Sequence, residues 1–278
     1  MNHPYENARN WSFPNRLRQT VLAFSALFLV TACAFEDAVV PEYVERPVDE
    51  IYNEALNVLQ EGDFELAATM FDEVERQHPY SNWATKAQLM SAYSYYQDDS
   101  YDSAIVALDR FIQLHPSNAD VPYAYYLKAL CYYEQISDVT RDQKMTELAL
   151  QTLGELTKRF PTSKYAKDAK LKLDLTNDHL AGKEMEIGRY YLTQGHHLAA
   201  INRFKSVIDK YQSTTHVPEA LHRLAESYVA LGIQMEAQKV AAVLGHNFPG
   251  SQWYLDAYAL VEGKLIVPTK DDPWYKLW

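Results

Sequence analysis

Glycine and cysteine are scarce in this sequence, and the chemistry that depends on them is missing. Nine glycines in 278 residues are few for an enzyme built on glycine-rich loops, and no phosphate-binding loop, nucleophile elbow or zinc-protease helix motif occurs. His196, His197 and His222 have no acidic or cysteine ligand at a recognised metal-binding spacing, so we interpret them as solvated turn residues. We therefore predict a protein that is not an enzyme and holds no metal or cofactor.

Basic residues are outnumbered by acidic ones. The chain has 26 Lys and Arg against 37 Asp and Glu, which gives a formal net charge of −11 at pH 7. Nucleic acid and anionic bilayers are therefore disfavoured as partners through bulk charge. A local basic patch on one protein-binding face remains compatible with this composition.

The N-terminal apolar run is too short to cross a membrane. As a helix, the segment from Val21 to Val30 would reach about 15 Å, roughly half of the hydrocarbon thickness. Arg16 and Arg18 precede this run and small residues follow it, an order typical of a bacterial export signal. We interpret residues 1–32 as a signal peptide.

The end of this signal resembles the lipobox of bacterial lipoproteins, in which a lipid-modified cysteine, here Cys33, becomes the first mature residue. The alternative is an ordinary secretory signal with Cys33 left free. Ala34, rather than aspartate, follows the cysteine, which under the enterobacterial sorting rule permits transfer to the outer membrane. Residues 33–47 would then be an acidic tether that holds the fold on the periplasmic side. With Cys33 lipidated, Cys131 is predicted to be a small core residue.

The rest of the chain contains an internal repeat built on small residues. Five small residues are each followed three positions later by an apolar or aromatic one. These pairs are Ala55 and Val58, Ala92 and Tyr95, Ala129 and Tyr132, Gly188 and Tyr191, and Ala225 and Tyr228. A matching alanine stands 12 positions after the small residue, or 20 in the third repeat: Ala67, Ala104, Ala149, Ala200 and Ala237. Twelve positions further on stand Pro79, Pro116, Pro161, Gln212 and Pro249. This is the tetratricopeptide (TPR) pattern, in which small residues let two antiparallel helices approach and proline ends the second helix.

The pattern predicts an all-α fold, a TPR solenoid of five helix-turn-helix repeats with a C-terminal capping helix. We assign the solenoid to residues 48–262 and a flexible aromatic tail to residues 263–278. The repeats fall near residues 49–82, 83–119, 120–161, 183–212 and 217–249. The third repeat should contain a longer polar loop at 134–143, and a long helix should lead into the fourth repeat. Solenoids of this kind bind other chains on a face lined by the first helices of the repeats.

Several stretches are more specific than a generic repeat. They are Tyr125-Tyr126-Leu127, Arg141-Asp142-Gln143, the segment 160–169, Tyr190-Tyr191, and the segment 199–204 that contains Asn202-Arg203. Together with the lipobox they resemble the BamD family of lipoproteins, which belong to the machinery that assembles outer-membrane β-barrels (Bam). The resemblance covers about residues 30–250. Gln212 and the aromatic tail depart from the family pattern.

The resemblance implies a non-enzymatic scaffold that binds the BamA insertase and helps receive unfolded β-barrel substrates. Its partners would be the POTRA domains of BamA, other Bam lipoproteins, unfolded outer-membrane proteins, and the outer membrane through a lipid on Cys33, but not nucleic acid. The docking arginine of the family falls on Arg203, beside Asn202. The substrate groove would include Tyr52, Tyr93, Tyr96, Tyr123 and Tyr126.

Two other functions fit a lipidated repeat protein. A pilotin-type lipoprotein, which escorts a secretin, would share the lipobox and the solenoid but should lack the Arg203 segment. A periplasmic protein that coordinates cell-wall synthesis would normally include a coiled-coil region, and none is visible in the sequence.

Overall fold

Helices make up about three-quarters of the described chain, residues 45–263 of a computed structural model. The signal peptide, Cys33, most of the tether and the tail beyond residue 263 lie outside the described residues, so the expectations for them stay predictions. The described range contains no strand and eleven helices: α1 (Val48–Glu61), α2 (Phe64–Gln77), α3 (Asn82–Gln97), α4 (Tyr101–Leu114), α5 (Val121–Tyr133), α6 (Lys144–Arg159), α7 (Ala166–Thr193), α8 (His197–Lys210), α9 (Val217–Ala230), α10 (Gln234–Asn247) and α11 (Gln252–Val261).

Pairing of the helices follows from the small residues in the repeat. All nine alanines of the pattern are fully buried, and Gly188 is buried as well. Because small side chains let two backbones approach closely, each helix packs against the next one along the chain. The predicted all-α solenoid of TPR-type helix pairs with a capping helix is confirmed.

The turns between pairs share one backbone conformation. The residue after each second helix has φ between −134° and −123° and ψ between 45° and 59°. Proline follows in four cases and disfavours a helical conformation there. Tyr211 adopts the same conformation although Gln212 follows it. Packing of the flanking helices forms this turn without a proline, together with hydrogen bonds from Thr214 Oγ1 to the Tyr211 carbonyl oxygen and from the Thr215 N–H to Asp178 Oδ1.

The first helices of the pairs lie closer to one another than the second helices do. Helix α1 contacts α3, α3 contacts α5, and α7 contacts α9, whereas successive second helices make no comparable contact within residues 45–263. The first helices therefore form one shared face of the stack. Side chains that point outward from α3, α5 and the start of α7 lie on that face.

The 28-residue helix α7 belongs to two separate cores. Ala169 packs in a core with α3 to α6, whereas Ala181 and Met185 pack in a second core with α8 to α11. The long helix expected before the fourth repeat is thus continuous with the first helix of the fourth pair. The buried side of α7 changes between its halves, because Ala169 and Thr176 share one helical face while Ala181, Met185 and Gly188 share another.

The polar loop at 134–143 is held against the middle of α7. The Nζ of Lys183 donates hydrogen bonds to the carbonyl oxygens of Thr140 and Arg141, at 3.0 and 3.2 Å. His179 Nε2 lies 2.8 Å from the carbonyl oxygen of Ser137. Insertions in solenoids commonly project as free loops. This loop instead lies along the neighbouring helix α7.

Gly188 of α7 packs directly against the ring of Phe204 in the fourth pair. A Cβ atom there would lie 2.5 Å from Cε1 and 2.9 Å from Cδ1 of Phe204, which is itself fully buried in α8. The phenyl ring therefore occupies the space that any larger residue would need.

We predict that Gly188→Ala lowers the free energy of unfolding by about 1–3 kcal/mol, because the added methyl overpacks a rigid core. Gly154→Ala in α6 is the matched control, since its Cβ would meet only Leu173 Cδ1 at 4.0 Å. That control should be neutral or up to about 1 kcal/mol more stable, because alanine favours a helix over glycine. Urea unfolding of both variants measures the difference, and equal stabilities would contradict this account of the packing.

The end of the stack is closed by α11, which packs on α9 and α10. Trp253 of α11 lies over His222 of α9 with ring centroids 5.4 Å apart, and the Arg223 guanidinium lies 5.6 Å from the same indole. His222 is buried, so its interpretation as a solvated residue was wrong; among His196, His197 and His222, His196 is exposed and His197 is partly buried. Burial, reinforced by the positive charge of Arg223, lowers the pKa of His222 to about 4.

We predict that acid destabilises the fold through His222. In the unfolded chain this histidine takes up a proton below about pH 6.5, whereas the folded chain resists protonation until about pH 4. His222 therefore does not affect the free energy of unfolding above pH 7. At pH 5, the imidazole of His222 alone should lower the free energy of unfolding by about 2 kcal/mol. Between pH 7 and pH 5, the free energy of unfolding should decrease less in His222→Gln than in the parent. This comparison holds even if the substitution also changes the stability at neutral pH. Parallel slopes would contradict the prediction.

Candidate functional site

Tyrosines of α3 and α5 come together on the face formed by the first helices. Tyr93 and Tyr96 are three residues apart on α3, and Tyr123 and Tyr126 are three apart on α5, so each pair shares one side of its helix. All four side chains are partly buried and pack around the same core. The structure therefore brings together four of the five tyrosines assigned to the groove.

A fifth tyrosine, Tyr165, joins this group from the turn before α7. Its ring stacks on Tyr126 at 5.2 Å between centroids and lies 5.3 Å from Tyr123. The Tyr126 hydroxyl donates a hydrogen bond to Asp168 Oδ2 at 2.5 Å, which fixes the ring against α7. We call Tyr93, Tyr96, Tyr123, Tyr126 and Tyr165 the tyrosine patch. Tyr165 was missing from the expected groove because it lies before a helix and outside the repeat register.

Three hydroxyl groups of the tyrosine patch, those of Tyr96, Tyr123 and Tyr126, are held in the protonated form. Burial raises the pKa of Tyr123 to about 12 and also raises the pKa of Tyr96. Burial and the hydrogen bond to Asp168 raise the pKa of Tyr126 further. The patch therefore offers aromatic area and neutral hydroxyl groups, a combination suited to an apolar or aromatic peptide whose backbone needs hydrogen-bond partners.

Tyr52 lies apart from the tyrosine patch. It is only 8% exposed, packed edge-on to Phe71 at 5.4 Å and tilted against Trp83 at 4.7 Å. These contacts place Tyr52 in the core of the first pair, and its ring supports that core in this structure. The partly exposed tyrosines of the shared face are those of α3, α5 and the turn before α7.

Arg203 and Asn202 lie on α8, at a distance along the chain from the tyrosine patch. Asn202 is exposed, and the Arg203 side chain is 41% exposed. Nη1 of Arg203 donates to both carboxylate oxygens of Glu184 on α7, at 3.2 and 3.4 Å. Within residues 45–263 the other guanidinium nitrogens make no hydrogen bond. Part of the arginine fork thus remains available to an external carboxylate.

The surroundings of Arg203 form an open, mainly polar depression of about 480 Å³. Ser206, Asp209 and Lys210 of α8 line it together with Glu184 and Tyr191 of α7. One helical turn before Asn202, Leu198 is 68% exposed, and Tyr190 at the end of α7 is 61% exposed. Exposed apolar side chains beside a charged depression are typical of a protein-docking surface.

A larger depression of about 770 Å³ lies between α2 and α4, where the sequence predicted no site. Its walls include the ion pair between Arg110 and Glu75, together with Asp72 and Val106. Tyr95 donates a hydrogen bond to Asp72 Oδ2 at 3.0 Å across its floor. These residues belong to the packing of the first two pairs and bring no catalytic constellation together.

Other kinds of site are absent from the part of the chain that the structure describes. No group of three or more His, Cys, Asp or Glu side chains in residues 45–263 could hold a metal ion. None of the helices described there is both long and apolar enough to cross a membrane. Cys131 is fully buried, as predicted, and burial raises the pKa of its thiol to about 12.

Comparison with known proteins decides the family. The sequence profile of the YfiO family, described as outer membrane lipoprotein, matches residues 44–244. The chain belongs to the YfiO family. This YfiO-family protein is 48% identical over 258 residues to the outer membrane protein assembly factor BamD of Caulobacter vibrioides, covering 92% of this chain and 84% of that protein.

Two further relatives of this YfiO-family protein are, like the Caulobacter one, named outer membrane protein assembly factor BamD. BamD of Rickettsia prowazekii is 50% identical over 219 residues, covering 79% of this chain and 87% of the relative. BamD of Neisseria meningitidis is 32% identical over 277 residues, covering 94% and 100%. The family is one of assembly factors rather than enzymes, in agreement with the prediction made from the missing motifs.

Solved structures show weaker similarity. The crystal structure of the P58(IPK) TPR domain overlaps 88% of this chain and 59% of its own, with a TM-score of 0.41 and 16% sequence identity.

Proposed function

We propose that this YfiO-family protein is a scaffold of outer-membrane β-barrel assembly. A lipid on Cys33 would hold it at the outer membrane, facing the periplasm. It would bind the POTRA domains of BamA together with other Bam lipoproteins. It would also help receive unfolded barrel proteins. The observation that carries this proposal is its 48–50% identity, over most of the chain, to two proteins named as outer membrane assembly factors.

The two exposed surfaces suit two different partners. The depression around Arg203 has an arginine that already binds a carboxylate and is flanked by exposed apolar side chains, which fits a folded domain with an acidic side chain. The tyrosine patch has neutral aromatic rings on a shared helical face, which fits an extended apolar peptide. A scaffold that joins an insertase to its substrate needs both kinds of surface.

We predict that Arg203→Glu lowers recovery of a POTRA-containing barrel protein at least tenfold when the tagged protein is purified from detergent-solubilised outer membranes. The new carboxylate would repel both Glu184 and an acidic partner side chain. Lys239→Glu is the matched control, because Lys239 is exposed on α10 and pairs only locally with Glu236. Recovery of a secretin or a peptidoglycan synthase as the main partner would overturn the proposed function.

A charge swap separates docking from folding. Arg203→Glu combined with Glu184→Arg restores the ion pair within the chain but reverses the charge offered to a partner. If Arg203 acts in docking, the swapped protein should be as stable as the parent and still fail to recover the barrel protein. Restored recovery would assign Arg203 a role in folding only.

We predict that Tyr93→Ala weakens binding of a peptide from the C-terminal strand of an unfolded outer-membrane protein about tenfold, since a truncated aromatic anchor typically costs at least that much. Tyr190→Ala is the control, because Tyr190 is a more exposed tyrosine outside the tyrosine patch. Fluorescence anisotropy with a labelled peptide gives both affinities. Equal affinities for the two variants would remove the tyrosine patch from substrate binding.

A further inference from the structure

A short segment around the start of α7 has a charge opposite to that of the whole chain. Residues 158–172 contain six basic residues and one acidic residue, a net charge of +5 in a protein whose total is −11. We call the basic residues the lysine cluster. They are Lys158, Arg159, Lys164, Lys167, Lys170 and Lys172. All but Lys172 are classed as exposed.

Packing within the fold accounts for only part of the lysine cluster. Lys172 lies 3.6 Å from Asp168 and over the ring of Tyr133, and Arg159 binds the Tyr125 hydroxyl. Lys158, Lys167 and Lys170 have no ion-pair partner within residues 45–263. Lys167 and Lys170 lie in the first turns of α7, whose N-terminus adds a partial positive charge, and Lys158 lies in the last turn of α6. These three unpaired side chains are complementary to anions.

The lysine cluster lies on the edge of the stack at which the chain enters the fold. Helix α1 begins at this edge, where the Arg46 backbone N–H donates to Gln77 Oε1 at 3.0 Å and the Arg46 carbonyl oxygen lies 2.7 Å from His78 Nε2. The turns after α2, α4 and α6 return to the same edge because the helices alternate in direction. We call this edge, residues 46–48, 78–81, 115–120 and 160–165, the entry edge. Tyr80, in the first of these turns, is fully exposed.

The opposite edge of the first three pairs is acidic. The turn after α1, the turn after α3 and the loop 134–143, with the residues beside them, contain nine exposed acids: Glu61, Asp63, Glu65, Asp98, Asp99, Asp102, Glu134, Asp138 and Asp142. A 14-residue helix separates the two edges by about 21 Å. Because charges are screened over about 8 Å at physiological ionic strength, these acids would not cancel attraction at the entry edge. The net charge of the chain therefore does not exclude an anionic surface as a partner.

We propose that the entry edge docks on the anionic phospholipid surface of a bilayer, with the lysine cluster against the phosphates and Tyr80 at the headgroup level. A lipid surface is favoured over an acidic protein because the edge that holds the lysine cluster also has a fully exposed tyrosine, and because the tether leaves the fold at that edge. The proposal rests on the proposed membrane anchoring.

The first experiment measures binding of the mature chain, residues 33–278 with Cys33→Ser so that no lipid is attached, to phosphatidylethanolamine vesicles with and without phosphatidylglycerol. Lys158→Gln, Lys167→Gln and Lys170→Gln, at three exposed lysines of the lysine cluster that have no ion-pair partner in residues 45–263, are combined in one variant. The control combines Lys144→Gln, Lys205→Gln and Lys239→Gln, which removes the same charge from exposed positions elsewhere. Since each lysine near an anionic surface contributes roughly fivefold, the first variant should bind at least tenfold more weakly than the control.

The results distinguish an anionic lipid surface from an acidic protein as the partner of the entry edge. Equal binding of the two variants, or no dependence on phosphatidylglycerol, would overturn the proposal. Stronger binding of the parent to a polyglutamate peptide than to the anionic vesicles would overturn it in favour of an acidic protein. Vesicle binding requires no assembly partner. A negative result with vesicles would therefore not change the expected recovery of the barrel protein, which tests the proposed function separately.

A second measurement tests the orientation. Cys131 is fully buried, so in the Cys33→Ser chain an introduced cysteine is the one readily labelled thiol. A polarity-sensitive fluorophore on Tyr80→Cys should shift to shorter wavelength when anionic vesicles are added. The same fluorophore on Tyr190→Cys should not shift, because Tyr190 lies near the far end of α7, about 37 Å from its start. Equal shifts at both positions would contradict docking by the entry edge.

Discussion

The shared helix α7 is the constraint on which the rest of the structure depends. Its first half completes the core of the third pair, and its second half is the first helix of the fourth pair. A 28-residue helix is about 42 Å long, so the two cores are joined by continuous backbone hydrogen bonding rather than by a turn. The loop 134–143 and the turn before α9 both bind the middle of this helix, through Lys183 and Asp178 respectively. Motion between the two cores would have to bend α7 and break these contacts.

Both candidate surfaces depend on that helix. Tyr165 and Asp168, at its start, hold Tyr126 in the tyrosine patch, and Glu184, in its second half, holds Arg203. Sixteen residues separate Asp168 from Glu184 along one helix, a distance of about 24 Å. A scaffold that must hand a substrate from one partner to another benefits from surfaces at a fixed separation, and a continuous helix provides that with few additional contacts.

The sequence alone predicted the helix pairs, because these depend on the spacing of small residues. It did not predict the positions of individual tyrosines, because these depend on how neighbouring helices are oriented. The 12-residue spacing of Ala55 and Ala67 indicated close helix pairs, because backbone approach requires small side chains whatever the exact crossing angle. The burial of Tyr52 could not be predicted, since it depends on where Phe71 and Trp83 place their rings. Tyr165 was not found because it joins the tyrosine patch across a turn, and only the crossing of α5 and α7 brings it there. Gln212 shows the converse: the proline signal is missing, yet helix packing and the hydrogen bonds of Thr214 and Thr215 form the same turn.

The two candidate surfaces differ in how readily they can exchange partners. The pair between Arg203 and Glu184 is partly exposed, and such ion pairs contribute only about 0–1 kcal/mol, so replacing Glu184 by a carboxylate on another protein costs little. The tyrosine patch is different because Tyr126 is fixed by a hydrogen bond to Asp168 and by stacking on Tyr165. Rings already held in place lose little conformational entropy on binding, which favours recognition of many related apolar peptides by shape. An exchangeable arginine suits a specific docking contact with one folded partner, whereas a fixed aromatic surface suits transient contact with varied unfolded chains.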